Sequence, residues 1–257
     1  MIIIRQKGAF MKIAVISDIH GNMEALNAVM DDINKHECEK IFVLGDYAMA
    51  GPEPLATVHF FMEQKDNPKF LMIQGNTDLM IADYNDNMFQ VLRTKAPVMA
   101  EALSDDYDKL GAAEKQFLKN LPAQLEFETD GVKFLLVHGS PRKNNEDILP
   151  DTPIEEVEKM LSYVDADVVF CGHTHIPCGF QTASKKTVVN VGSIGRPFTP
   201  EPKSCYLIAD IWQGRSVFEH QFVKYDNKTA SEKLKKRYFK GADRLAETLL
   251  NPTVRHF

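Results

Sequence analysis

Asp167-Val168-Val169-Phe170-Cys171-Gly172-His173-Thr174-His175 sets a short apolar run directly against a pair of imidazoles. Such a run is expected of a strand buried on both faces of a sheet. The same design occurs four times upstream. Lys12-Ile13-Ala14-Val15-Ile16 leads into Asp18-Ile19-His20, and Ile41-Phe42-Val43-Leu44 into Gly45-Asp46. Phe70-Leu71-Met72-Ile73 leads into Gly75-Asn76, and Phe134-Leu135-Leu136-Val137 into His138-Gly139. Each polar cluster therefore falls just past the carboxyl end of an expected strand, where open α/β sheets place their ligand sites. Glycine beside the polar residues lets the backbone turn sharply there.

Together the five clusters supply Asp18, His20, Asp46, Asn76, His138, His173 and His175. Those are oxygen and imidazole donors, the set that borderline divalent ions accept. One such ion takes about four to six ligands, so these residues are too many for one. They suit two ions if one carboxylate bridges them. A pair of ions about 3.5–4 Å apart is the clamp used to cleave phosphate esters.

The clusters run from Asp18 to His175 of a 257-residue chain, so any division into domains would cut the site. No linker, repeat or low-complexity tract interrupts it. A single domain over residues 1–257 is expected, with a core at about 11–223, a polar helical insertion at about 97–122 and a C-terminal helix at about 229–250. The net charge of −6 argues against a general nucleic-acid binder. No apolar run reaches the length of a membrane helix, and residues 1–5 are too short for a signal-peptide core. Cys38, Cys171, Cys178 and Cys205 lack CxxC spacing and read as free thiols in a reducing compartment, so a cytoplasmic location is expected. Cys171 near His173 is read as an ordinary buried thiol.

Residues 22–34 read as a helix with Asn22 as N-cap, and residues 54–64 as a second; a third starts near Asp78. Asp130-Gly131 marks a hairpin between residues 124–129 and 132–137. Thr152-Pro153-Ile154-Glu155 reads as a helix start with a capping box and proline at the first helical position. Strands follow at residues 188–191, 204–211 and 216–223. The basic stretch at residues 233–240 reads as a solvated helix face. Residues 1–10 precede the first cluster-bearing strand and read as an accessory segment.

With DxH, GD, GN, GH and GHTH in this order, the chain resembles the calcineurin-like metallophosphoesterases over roughly residues 11–223. The resemblance implies an α/β fold, a four-layer α/β/β/α sandwich with mixed sheets. It implies that Asp18, His20 and His175 hold one ion, that Asn76, His138 and His173 hold the other, and that Asp46 bridges them. A hydroxide shared by the ions would then attack phosphorus, with Asp46, Asn76 and His138 at the reacting centre. Two divalent ions are expected. Mn²⁺ is favoured by family habit, and Fe, Ni²⁺, Co²⁺ or Zn²⁺ are acceptable to the same donors. Arg142, just beyond His138-Gly139, is expected to bind a substrate oxygen, and Asn22 to reach the substrate.

Two positions depart from the family pattern. Many members carry GNH, whose histidine serves the leaving group; here Thr77 follows Asn76. Protein phosphatases carry GDxxDRG with a phosphate-binding arginine; residues 45–51 contain none. The missing arginine argues against a protein phosphatase, and the replacement after GN, with Asp18-Ile19-His20-Gly21-Asn22, resembles the small bacterial and archaeal phosphodiesterase branch, some of whose members cleave diadenosine polyphosphates. A placed general acid contributes about 10²–10⁴-fold when a basic alkoxide must leave, and threonine is a poor one. The expected activity is therefore hydrolysis of small nucleotide-like phosphodiesters or phosphoanhydrides. Asp78 or a water could stand in for the histidine. A phosphomonoesterase acting on small metabolites is the alternative, and a non-catalytic interaction scaffold is the alternative of another class. The expected partner is a small phosphorylated substrate, with no membrane or nucleic acid, and a homo-oligomer is left open.

Overall fold

The computed structural model describes residues 3–6 and 10–253. The first half contains β1 (Ile3–Gln6), β2 (Met11–Ile16), α1 (Met23–Lys35), β3 (Lys40–Val43), α2 (Pro54–Glu63) and β4 (Phe70–Met72). Four helices follow: α3 (Asn76–Ala82), α4 (Asp86–Lys95), α5 (Pro97–Lys109) and α6 (Ala112–Asn120). Then come β5 (Gln124–Thr129), β6 (Val132–Val137), α7 (Ile154–Met160), β7 (Val168–Cys171), β8 (Cys178–Gln181) and β9 (Thr187–Asn190). The chain closes with β10 (Ser204–Trp212), β11 (Arg215–Val223), α8 (Asn227–Lys235) and α9 (Ala242–Leu250).

Two mixed sheets result, in the orders β1-β5-β6-β7-β9-β8 and β11-β10-β2-β3-β4. Side-chain alternation along the strands builds the layers. Met11, Ile13 and Val15 of β2 share a buried cluster with Phe134 and Leu136 of β6 and Phe170 of β7, so the sheets pack face to face. Phe134 and Phe170 stack with centroids 5.5 Å apart. The alternate residues Ala14 and Ile16 face a second cluster with Leu26, Val29, Phe61, Leu103, Leu234 and Leu249, contributed by helices on that side. Leu135 and Val137 face a third cluster with Val157 and Met160 of α7. The layers are therefore helix, sheet, sheet, helix, the four-layer sandwich expected. The parallel strands β2, β3 and β4 in one sheet, and β6, β7 and β9 in the other, are paired side by side. Their carboxyl ends carry all five polar clusters.

Several local expectations need correcting. The C-terminal helix is two helices, because Gly241 sits at φ +95° between them, where the left-handed region breaks an α-helix. The 97–122 insertion is α5 with α6, and α4 packs on α5, so the helical excursion begins before Pro97. Helix α7 starts after Pro153 rather than at it; Thr152 Oγ1 accepts from Leu149 N at 2.8 Å and caps the preceding turn instead. Residues 3–6 of the supposed accessory segment form an edge strand, paired parallel with β5.

The basic stretch at 233–240 is not a simple solvated face. Arg237 is buried, donates to Gly51 O at 2.5 Å, and pairs with Asp105 and Asp106 of α5. It ties the segment after α8 to α5 and to the loop that follows Asp46. Removing one partner of a buried ion pair leaves an uncompensated charge and costs about 3–5 kcal/mol. Arg237→Ala should lower unfolding stability by that order in a urea titration, with Asp106 stranded. A midpoint equal to wild type would show that the cluster does not hold these elements together.

Candidate metal centre

The five polar clusters meet because the ends of the two sheets are stitched together by backbone hydrogen bonds. Asp18 N donates to Gly45 O at 3.1 Å, and Ile19 N and His20 N both donate to Asp46 O at 2.9 Å. Gly172 N donates to His138 O at 2.8 Å. The loop after β9 crosses between the sheets, with Ile194 N on Ser17 O at 3.0 Å and Gly195 N on Asp18 O at 2.9 Å.

These turns are tight and strained. Asp18, His20, Asp46, His173 and His175 have φ between +48° and +66°. For non-glycine residues such backbone costs of the order of 1–3 kcal/mol each and clusters at functional sites. Two glycines make the close approach feasible. A Cβ on Gly45, at φ +97°, would lie 2.2 Å from Gly75 N, and one on Gly172 would lie 2.6 Å from Asp18 Oδ2.

Among the described histidines, cysteines and acids, two groups of three converge: Asp18, His20 and His175, and Asp18, Asp46 and His138. His175 Nε2 lies 3.1 Å from Asp18 Oδ1 and 3.1 Å from His20 Nε2. His20 Nε2 is 3.7 Å from Asp46 Oδ2, and His138 Nε2 is 3.4 Å from Asp46 Oδ1, so the two oxygens of Asp46 face different imidazoles. Asn76 Oδ1 lies 3.0 Å from His138 Nε2.

The outer nitrogens of three rings decide what the inner ones offer. His20 Nδ1 meets Met49 O at 2.9 Å, His138 Nδ1 meets Leu44 O at 2.7 Å, and His175 Nδ1 meets Arg196 O at 2.6 Å. A carbonyl can only accept, so each Nδ1 carries the proton. In the neutral ring each Nε2 then presents a lone pair to the centre. The centre thus gathers imidazole lone pairs, two carboxylates and an amide oxygen, all acceptors, in a buried space. Asp18 Oδ1 accepts no hydrogen bond there although it is fully buried. Acceptors converging without donors fit a cation, and backbone carbonyls behind the rings are the outer partners that ligating histidines normally have.

Charge works in the same direction. Burial opposes ionisation of Asp18, but His175 and His138 outweigh it and hold the carboxyl well below the usual range. Asp46 is likewise lowered to about 2, burial being overcome first by His138. Burial also opposes protonation of His138, yet Asp46 and Asp18 push it up to about 10. Without a metal, that proton is the positive charge the carboxylates demand.

Residues expected to bear on substrate are placed differently. Arg142 is held by Glu146 through Nε–Oε2 at 2.9 Å and Nη2–Oε1 at 2.6 Å, so its fork is already occupied. Asn22 is fully buried, accepting from Ala25 N at 3.1 Å and donating to Gly195 O at 3.0 Å; it caps α1 and anchors the β9 loop, with no polar atom left for substrate. Thr77 Oγ1 donates to Ala48 O at 3.3 Å. Asp78 does not aim at the centre either. Its oxygens accept from Asp46 N and Gly75 N at 2.8 Å and from Tyr47 N at 3.0 Å, which clamps the GD turn to the GN turn. Burial, then Asp46, pushes its carboxyl up to about 7 against those donors.

His173 stands at the rim. Its ring is 5.3 Å from that of His138, its N donates to Asp18 Oδ2 at 2.9 Å, and its Nε2 lies 3.2 Å from Asp147 Oδ1. Asp147 was missed because it sits in a loop with no strand-end signature. Cys171 is a buried free thiol raised well above its ordinary value by burial, and it belongs to neither converging group. Asn190 packs beneath the GHTH turn, donating to Gly172 O at 2.7 Å and Thr174 Oγ1 at 2.9 Å.

A helix–sheet–sheet–helix sandwich with a cation-seeking cluster at the carboxyl ends of its strands is the architecture of a metal-dependent phosphoester hydrolase. The family model of the calcineurin-like phosphoesterase superfamily domain matches residues 11–214, and the chain belongs to that superfamily. It is 32% identical over 247 residues to an uncharacterized protein of Methanocaldococcus jannaschii, covering 87% of this chain and 92% of the other. A hypothetical protein from Pyrococcus horikoshii OT3 superposes with a TM-score of 0.83 at 23% identity, over 95% of this chain and all (100%) of that one. A metallophosphoesterase from Sphaerobacter thermophilus gives a TM-score of 0.73 at 24% identity, over 93% and 98% of the respective chains. The superfamily uses divalent ions, and the donor set here suits them.

Two outcomes follow from the geometry. Asp46→Asn should lower divalent-metal affinity by more than about a hundredfold, beyond the cost of losing an outer-shell partner, and abolish activity with it. Retention of a full metal complement in mass spectrometry would contradict a shared carboxylate. The second outcome concerns protons. Metal-free His138 stays protonated below about pH 10, while Asp46 is ionised above about pH 2. A divalent ion must displace the imidazole proton, so loading releases protons and affinity rises with pH through the neutral range. Calorimetry in buffers of different ionisation enthalpy should reveal that release. Affinity independent of pH would remove His138 from the ligand set.

Proposed function

We propose that the chain is a two-metal phosphodiesterase acting on small nucleotide-like phosphodiesters or phosphoanhydrides. Asp18, His20 and His175 would hold one ion, Asn76 and His138 with His173 the other, and Asp46 would reach both. Mn²⁺ is our choice among the divalent ions that mixed oxygen and imidazole donors accept. When bound, such ions supply a Lewis acid for the phosphoryl oxygens and a nucleophile at neutral pH.

The chain's own residues do the rest. The strained turns at Asp18, His20, Asp46 and His175 support this reading, because those side chains converge with His138 before any ligand arrives and need little reorganisation on binding. Met49, Leu44 and Arg196 carbonyls fix the ring orientations of His20, His138 and His175. The carrying observation concerns the proton donor. Thr77, where many family members have histidine, turns its hydroxyl to Ala48 O, and Asp78 spends both oxygens on backbone amides. Neither group is free to protonate a leaving oxygen. Leaving groups that depart as stable anions, such as aryloxides and phosphates, need no such proton. Simple alkyl phosphomonoesters do.

A series of aryl phosphodiesters with leaving groups of increasing pKa, run on metal-replete protein, tests the reading. The logarithm of kcat/KM should fall steeply along the series, and an alkyl phosphomonoester should be slower by about 10²–10⁴-fold, the contribution of a placed acid. A flat dependence would mean that an acid operates, and the phosphomonoesterase reading would then replace this one.

A further inference from the structure

Arg196 lies in the loop that follows β9, and its main chain is fixed against the centre from both sides. Its carbonyl accepts from His175 Nδ1 at 2.6 Å, and its N–H donates to Ser193 Oγ at 2.9 Å. Ser193 Oγ in turn donates to Asp18 O at 2.8 Å. The residue thus cannot drift relative to two of the metal-type side chains.

The side chain is half-buried and poorly partnered. Its one polar contact is Nη1 to Met99 Sδ of α5 at 3.7 Å. Among the described residues no carboxylate lies within salt-bridge reach of it. The contrast with the other placed arginines is direct: Arg237 holds Asp105 and Asp106, and Arg142 holds Glu146. A guanidinium offers five donors in a rigid fork, and a thioether is a weak acceptor. Drawing such a charge partly out of water without an anion is unfavourable unless a ligand brings one. Burial alone lowers its pKa to about 10, with no acid to offset it, and it remains a cation at neutral pH.

We propose that Arg196 is a substrate-binding residue of this centre, its fork gripping phosphoryl oxygens on the His175 side, with Met99 of the helical insertion steadying it. This assigns to Arg196 the role that residue spacing gave to Arg142. It also gives α5 a functional contact, since the insertion reaches the rim of the site through Met99. The proposal rests on the phosphoester reading above, but its test separates from that reading.

The probe is inorganic phosphate, titrated calorimetrically into Mn²⁺-loaded wild-type protein and Arg196→Gln, with metal content and melting temperature measured on the same samples. The variant should bind phosphate about tenfold to a hundredfold more weakly, the loss of one charged contact. Metal content should be unchanged and melting temperature unchanged or raised, because no internal partner is left stranded. A purely structural arginine would instead lower the melting temperature. Should glutamine prevent folding, Arg196→Met, apolar and of similar length, serves the same purpose. Kinetics then locate the oxygens. An equal loss of kcat/KM for a simple aryl phosphodiester and for a dinucleoside polyphosphate assigns the reacting phosphoryl group; a larger loss for the latter assigns a second one. Folded, metal-replete variant protein that binds phosphate as tightly as wild type overturns the proposal, whatever the wild-type activity. Wild-type protein that hydrolyses no phosphoester, yet loses phosphate affinity on substitution, overturns the functional reading and leaves the anion site standing.

Discussion

Two carboxylates and three imidazoles brought into one buried space need a positive charge among them, and much of the molecule is arranged around that need. Asp18 and Asp46 are ionised at the ends of neighbouring parallel strands, where water cannot solvate them. In the absence of metal the His138 proton meets part of the demand. A divalent ion meets it better, because it also satisfies the inward lone pairs of the rings. The same competition between proton and metal gives the centre its pH dependence. The cost of convergence is visible as positive φ at five of the seven residues.

Holding that strained arrangement requires supports that never touch the centre. Asp78 gathers three backbone amides and fixes the Asp46 turn against the Asn76 turn. Asn190 braces the turn beneath His173 and His175 by donating to Gly172 O and Thr174 Oγ1. Arg237 reaches from the segment after α8 to Gly51 O, behind the loop whose Met49 carbonyl orients His20. These groups are satisfied by partners within the fold, which is why they belong to the frame. Arg196 differs in kind, since its main chain is fixed to His175 while its cationic group has only a sulfur against it. That difference separates a side chain that holds the structure from one that awaits a ligand.

The helical insertion links the two. Helix α5 supplies Asp105 and Asp106 to the buried Arg237 and Met99 to Arg196. One face of the same helix therefore stabilises the loop behind the metal-type residues, and its first turn borders the place where substrate would lie. The polar helical pattern of this segment does not reveal that role, because polar helices look alike until their contacts are known.

Local sequence determined a good deal. Five apolar runs ending in polar clusters announced the parallel strands and the end of the sheets at which the site lies, because burial on both faces demands continuous apolar residues and turns demand glycine. The hairpin at Asp130-Gly131 was equally legible, since positive φ at both residues favours that pair. The edge strand at residues 3–6 was not, because its identity depends on β5 and not on its own pattern. Partnership was the other thing sequence could not supply. Arg142 and Arg196 are the same residue type in loops that follow strands of one sheet, and only the folded chain places Glu146 against one and a thioether against the other. Thr77 and Asp78 could be named from the chain, but which way their oxygens turn is fixed by backbone amides and carbonyls distant in sequence. Residue types set which chemistry is possible; long-range packing decided which charges are compensated, and so which remain available to a substrate.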